Sequence, residues 1–220
     1  MGSYRLFEVN SGSGLLRLGD VAEIADRLRA GGLAVLPTET GHLVAALATS
    51  RPALLRAFAF KNRPLSNPMH VACASLEMAA EFAILSPDAR RLIALHTPGP
   101  LTVVVAQRPV LPDDLVTLNG TVGIRVPDHP ATLQVIAAVG APVTATSLNR
   151  SGEESRPLSA ELLDSFDWPS DDTPVVRDNG AIRYDSASTL VRLDATGFEV
   201  LREGPISRAV VDESLASLSR

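Results

Sequence analysis

Apolar residues recur at Val21, Ile24, Ala25 and Leu28, the spacing of a helix that buries one face. Asp20 followed by Glu23 reads as a capping box at its start, and Gly31-Gly32 ends it. The pattern then changes to a short continuous apolar run, "LAVLP" (33–37), which predicts a buried strand feeding into the polar turn "TETGH". The two patterns go on alternating. Helices are predicted over 52–60, 76–84, 87–95 and 159–166. Strands are predicted in "MHVACA" (69–74), "PGPLTVVVAQ" (98–107), "TVGIRVP" (121–127) and "PVTATS" (142–147). Asp128 caps a helix through Val139, with Pro130 in its first turn and Gly140 past its end. The stretch "DWPSDDTP" (167–174) is the most linker-like. Two strands, 186–194 and 198–203, and a weak terminal helix close the chain. Strands alternating with helices, without repeats, predict one α/β domain over 1–220 with a twisted mixed sheet and flanking helices.

Composition narrows the chemistry. At 45% hydrophobic and 4% aromatic, the core is built from Ala, Val, Leu and Ile. The net charge of −5 lacks the basic excess of a general nucleic-acid binder, so any RNA contact would be a local, weak patch. A lone cysteine, Cys73, excludes an internal disulfide and a multi-cysteine metal site. The N-terminal residues do not pattern as a signal peptide and no apolar run is long enough to cross a bilayer, which predicts a cytoplasmic protein without membrane contact.

Polar residues collect where the predicted strands end: Thr38, Glu39 and Thr40, then Arg125, then Ser147 and Asn149. In open α/β sheets ligands bind beyond the strand ends, so these loops could line one site or merely make turns. Lys61, in "AFKNRPLSNP", is the only lysine; every other one of the 20 Lys and Arg residues is arginine. An ammonium is a compact charge with three rotatable donors, which a flat guanidinium fork cannot always replace. No Walker loop, dinucleotide fingerprint or nucleophile elbow is present, and the four histidines (42, 70, 96, 129) share no metal-ligand spacing. Cations with hydroxyl and amide donors suit a polyphosphate and the steadying of charge while two bound substrates react.

In order along 33–206, the segments "LAVLPTET", "KNRPLSNPMHV", "TPGPLTVVV", "TVGIRVPDHP", "APVTATSLNRSG", "SASTLV" and "VLREGPIS" resemble the YrdC-like family of threonylcarbamoyl-AMP synthases. The resemblance implies a large concave, positively charged cavity. It also implies the conversion of L-threonine, bicarbonate and ATP, the last with Mg2+, to threonylcarbamoyl-AMP, pyrophosphate and water. The product would serve threonylcarbamoylation of tRNA adenosine 37 through transient contact with a threonylcarbamoyl transferase complex.

The family's K-x-R and S-x-N signatures fall on Lys61, Arg63, Ser147 and Asn149, the implied catalytic set. Asn67, Thr121 and Arg202, with Lys61, Arg63 and Asn149, would contact ATP. Thr38, Thr40, Arg125, Ser147 and Ser188 would hold threonine or its carbamate. The family's usual V-Y-G-L-G after the Thr-Glu-Thr is replaced by Gly41-His42-Leu43-Val44-Ala45, beside the implied amino-acid pocket. Two alternatives stay open: a paralogue acting on another amino acid or carbamoyl donor, and a non-catalytic RNA-binding module.

Overall fold

The computed structural model describes residues 2–112, 114–153, 156–178 and 180–216. Its strands form two sheets. In the first, β1 (Tyr4–Glu8) and β2 (Ala34–Thr38) lie parallel to β11 (Thr173–Arg177) on either side of it. β3 (Gly41–Ala45) and β10 (Thr146–Ser147) extend that sheet antiparallel, beyond β2. The second sheet runs in the order β13 (Gly197–Arg202), β12 (Thr189–Asp194), β6 (Leu101–Gln107), β8 (Thr121–Arg125), β4 (Val71–Ala72) and β9 (Val143–Thr144). Short strands β5 (Ala83–Ile84) and β7 (Thr117–Leu118) add to β6 and β8. The α/β class with mixed sheets and flanking helices is as the sequence predicts, but the ladder divides in two.

The division falls within the predicted strand 142–147. Val143–Thr144 pairs in the second sheet and Thr146–Ser147 in the first, with Ala145 N–H donating to His70 O (2.7 Å) between them. One short stretch therefore ties the two sheets together beside the residues that follow, Ser147 and Asn149.

Helix α1 (Leu18–Arg29) packs against α5 (Pro130–Val139). Ile24, Ala25 and Leu28 meet Ala131, Val135 and Ile136 over Ala34, Leu36, Leu43 and Ala45 of the β2–β3 hairpin. A larger core joins Val35, Val71, Val103, Ile124 and Val191 from both sheets with helices α2 (Arg51–Phe60), α3 (Leu76–Phe82) and α4 (Pro87–His96). Ser50, Ser75, Ser86 and Ser159 cap α2, α3, α4 and α6 (Ala160–Asp164), each side chain accepting a backbone N–H three residues on. Helix α7 (Arg208–Ala216) ends the described chain against α4.

Several predicted boundaries are corrected. Asp20 does not cap α1: the N-cap is Arg17, and Asp20 accepts from the Arg17 guanidinium inside the first turn. The N-cap position of α5 is His129, not Asp128, and no side chain caps the helix; the Asp128 carboxylate pairs instead with Arg183. The run 69–74 pairs as a ladder only over Val71–Ala72. Strands β1, β3 and β11 escape the sequence reading. The Gly-His opening of β3 reads as turn, and β11 begins within the supposed linker, where Trp168 is buried against Tyr4, Phe60 and Phe166.

Candidate functional site

A cavity of about 340 Å³ opens between the sheets. Thr38, Thr40 and His42 line it from the β2–β3 hairpin, Arg63 and His70 from the segment leading to β4, and Thr102 and Arg125 from β6 and β8. Ser147, Asn149, Ser188 and Arg202 line it as well. Eight of the residues singled out from sequence thus share one hollow.

The hairpin tip is only two residues, Glu39 and Thr40, because Thr38 pairs directly with Gly41. Gly41 sits at φ +127°, a conformation that L side chains rarely adopt, and Thr38 Oγ1 donates to its carbonyl (2.7 Å). The tight turn aims Glu39 inward, where it is fully buried. Its Oε1 accepts from Arg125 Nη2 (2.8 Å), its Oε2 from the Asp128 N–H, and its carbonyl from the backbone N–H groups of Arg183 and Tyr184. The same Arg125 nitrogen donates to Thr40 Oγ1 (2.7 Å) and, at 3.5 Å, to Thr38 Oγ1. A buried carboxylate that spends both oxygens fixes the guanidinium in one pose. Arg125 Nε is buried with no partner. Sequence reasoning placed Glu39 in the strand-end cluster but gave it no role; its position between two threonines was the available signal.

Lys61, the C-cap residue of α2, lies under the cavity rather than in its lining and is 1% exposed. Its ammonium donates to Ser147 O, to Asn149 O (2.6 Å) and to Asn149 Oδ1 (3.0 Å). Asn149 Oδ1 also accepts from Ser147 Oγ (2.5 Å). Burial, with the nearby Arg63 charge, pushes the Lys61 pKa down to about 7, and Glu153 opposes that shift. Lys61 therefore joins the two family signatures physically, from beneath.

Arg63 is held by Asn67, donating to its carbonyl (2.7 Å) and Oδ1 (2.9 Å) and to Pro68 O (2.9 Å). Asn67 thus acts on Arg63 and does not line the cavity. Arg202 is anchored on Ser188 O through Nε (3.0 Å) and Nη2 (2.8 Å), and Ser188 Oγ lies 2.8 Å from Thr102 Oγ1. Thr121, at the start of β8, donates to Leu118 O and stands outside the lining residues.

His70, assigned no role from sequence, lines the same cavity as Arg202, Arg63 and Arg125. Burial, reinforced by those three charges, pushes its pKa down to about 4. A Cβ at Gly123 would lie 2.0 Å from His70 Nδ1, so only glycine leaves room for the ring. Burial likewise lowers the Arg63 and Arg202 pKa values, the latter aided by Arg125. Arg63, Arg125 and Arg202 thus share the cavity with a neutral imidazole, Arg125 already paired with Glu39. Among the described residues no group of three or more His, Cys, Asp or Glu side chains could hold a metal ion, and no helix is long and apolar enough to cross a membrane.

Fold and cavity together define an α/β protein with an arginine-lined cavity between its sheets. The family model described as "Telomere recombination" (Sua5, YciO and YrdC) matches residues 26–204, and the chain belongs to that family. It is 34% identical over 189 residues to the Mycobacterium tuberculosis protein named "Putative threonylcarbamoyl-AMP synthase", covering 86% of this chain and 85% of that one. The Pyrococcus abyssi Sua5 structure complexed with L-threonine superposes with a TM-score of 0.84 at 28% identity, over 96% of this chain and 61% of that longer chain. Escherichia coli YciO shares the fold, with a TM-score of 0.77 at 21% identity over 93% and 97% of the two chains.

Proposed function

We propose that the chain, as a single domain, is an L-threonylcarbamoyladenylate synthase, a nucleotidyltransferase that joins L-threonine, bicarbonate and ATP and releases pyrophosphate and water. The observation that carries this reading is the convergence of Arg63, Arg125, Arg202, Ser147 and Asn149 on one cavity, with Lys61 pinned beneath. The names of relatives covering most of the chain support it. Threonine's amine becomes a carbamate whose oxygen attacks the α-phosphorus of ATP, which enters with its Mg2+ as substrate. Arg63 and Arg202 meet the phosphates, and Lys61 adds charge while holding Ser147 and Asn149 in place. Arg125, already fixed by Glu39, receives the amino-acid carboxylate with Thr38, Thr40 and Ser188. The adenylate then passes to a tRNA-modifying transferase in the cytoplasm.

Incubation with ATP, bicarbonate and threonine should yield threonylcarbamoyl adenylate by mass spectrometry. Pyrophosphate released with another amino acid but not with threonine would instead identify a paralogue, a reading that His42 in the cavity wall makes specific to test.

A further inference from the structure

Thr102 lines the cavity but has no part in the reaction proposed above. It lies on β6, where Leu101, Val103 and Val105 turn into the larger core and Thr102 turns the other way. The ladder sets it directly opposite Arg125 on β8, the guanidinium fixed by Glu39, so the two side chains leave the same face of the sheet. On its other side β6 runs parallel to β12, which begins at Thr189, directly after Ser188. Thr102 is 2% exposed and Ser188 4%, and their hydroxyl oxygens lie 2.8 Å apart.

Each hydroxyl brings one hydrogen and two lone pairs to this contact, and one hydrogen lies between the oxygens. Among the described residues no acceptor takes the other hydrogen: the further partner of the pair, Arg202 Nη2 at 3.4 Å from Ser188 Oγ, can only donate. A buried hydroxyl hydrogen without an acceptor is costly, and the space left to it is the cavity. Arg202 faces one lone pair of Ser188 Oγ. When Thr102 is the donor it occupies the second, and the Ser188 hydrogen then has one direction left, away from both.

We infer that Thr102 is a positioning residue for the amino-acid substrate, donating to Ser188 Oγ and so turning the Ser188 hydrogen toward the substrate carboxylate held at Arg125, an inference that rests on the proposed synthase reaction. Thr102 does not touch the substrate and no proton changes owner. Donation from Thr102 to Ser188 polarises the Ser188 hydroxyl, which strengthens its charge-assisted bond to the carboxylate. The nucleotide side is insulated from this pair. Arg202 is anchored on the Ser188 carbonyl, through Nε (3.0 Å) and Nη2 (2.8 Å), which no side-chain change at 102 or 188 removes.

The test is pyrophosphate release at varied threonine and varied ATP. Thr102→Val keeps a β-branched strand residue and removes the hydroxyl. It should raise the KM for threonine about 10-fold and leave the KM for ATP within about twofold. Thr102→Ser restores the donor and should return the threonine KM to near its wild-type value. Ser188→Ala should raise that KM at least about 10-fold, and the Thr102→Val/Ser188→Ala double variant should raise it no further, because Thr102 acts through Ser188. An unchanged threonine KM in Thr102→Val, a Thr102→Ser variant as weak as Thr102→Val, or losses that multiply to about 100-fold in the double variant would each overturn the assignment. Should valine prevent folding, Thr102→Ala enters the same cycle. If the wild-type protein turns over another amino acid, the cycle is read on the KM of that substrate, which shares the carboxylate. Failure of the synthase reading looks different: the wild-type protein then releases no pyrophosphate with any amino acid, and no role for Thr102 in it survives.

Discussion

Lys61 spends its three donors on Ser147 O, Asn149 O and Asn149 Oδ1, which explains why one ammonium persists in a chain that otherwise uses arginine. A guanidinium is longer, flat and carries five donors, and the 1%-exposed site has no room for it. Lys61→Arg should therefore displace Ser147 and Asn149 and cut kcat/KM about 100-fold despite the unchanged charge. Because the Lys61 pKa lies at about 7, ATP bound nearby at higher pH should draw a proton onto it. Calorimetric titration in buffers of different ionisation enthalpy should show net proton uptake above pH 7; equal enthalpies in all buffers would contradict the arrangement. Glu39 is the other decisive residue. Glu39→Ala leaves Arg125 buried without its counter-ion and frees the Asp128 N–H, at a cost of about 3–5 kcal/mol in urea unfolding.

Strand register sets what each element brings to the site. Val71 pairs with Ile124 in the parallel β4–β8 ladder, which places His70 beside Gly123, and the missing side chain there makes space for the imidazole. Gly123→Ala should force the ring aside and cost about 1–3 kcal/mol of stability, with the urea midpoint as readout. The helices were legible in sequence because their apolar spacing and serine caps are local, as α2, α3 and α4 show. The strands β1, β3 and β11 were less so. For β1 and β11 the pairing partners lie far along the chain, Tyr4 with Thr173 and Val175 with Val35, and no local pattern reports such a partner, so the stretch near Trp168 reads as linker. β3 has a local partner in β2, but its opening Gly41-His42 carries turn residues and so reads as turn.

Across the whole molecule, the net charge of −5 coexists with a cavity in which Arg63, Arg125 and Arg202 converge, so charge is sorted by the fold rather than by composition. The same burial makes stability depend on pH. His42 and His70 have folded pKa values near 4, below the usual 6.5, so an unfolded chain takes up protons that the folded one refuses. Their contribution is intact above pH 6.5 and is lost as pH falls toward 4. Urea midpoints should decline through that window, and His42→Phe should flatten the decline; an unaltered slope would show that His42 titrates normally. By itself the sequence determined the α/β class, most helices, and the polar set Lys61, Arg63, Ser147, Asn149 and Arg125, because periodicity and family motifs are written in neighbouring residues. Only the tertiary structure decided that Lys61 lies beneath the cavity, that Glu39 fixes Arg125, that Asn67 holds Arg63 and that Thr121 stands apart. Those facts depend on which distant strands pair and on which polar atoms burial leaves with a partner, and neither is a property of any local stretch of chain.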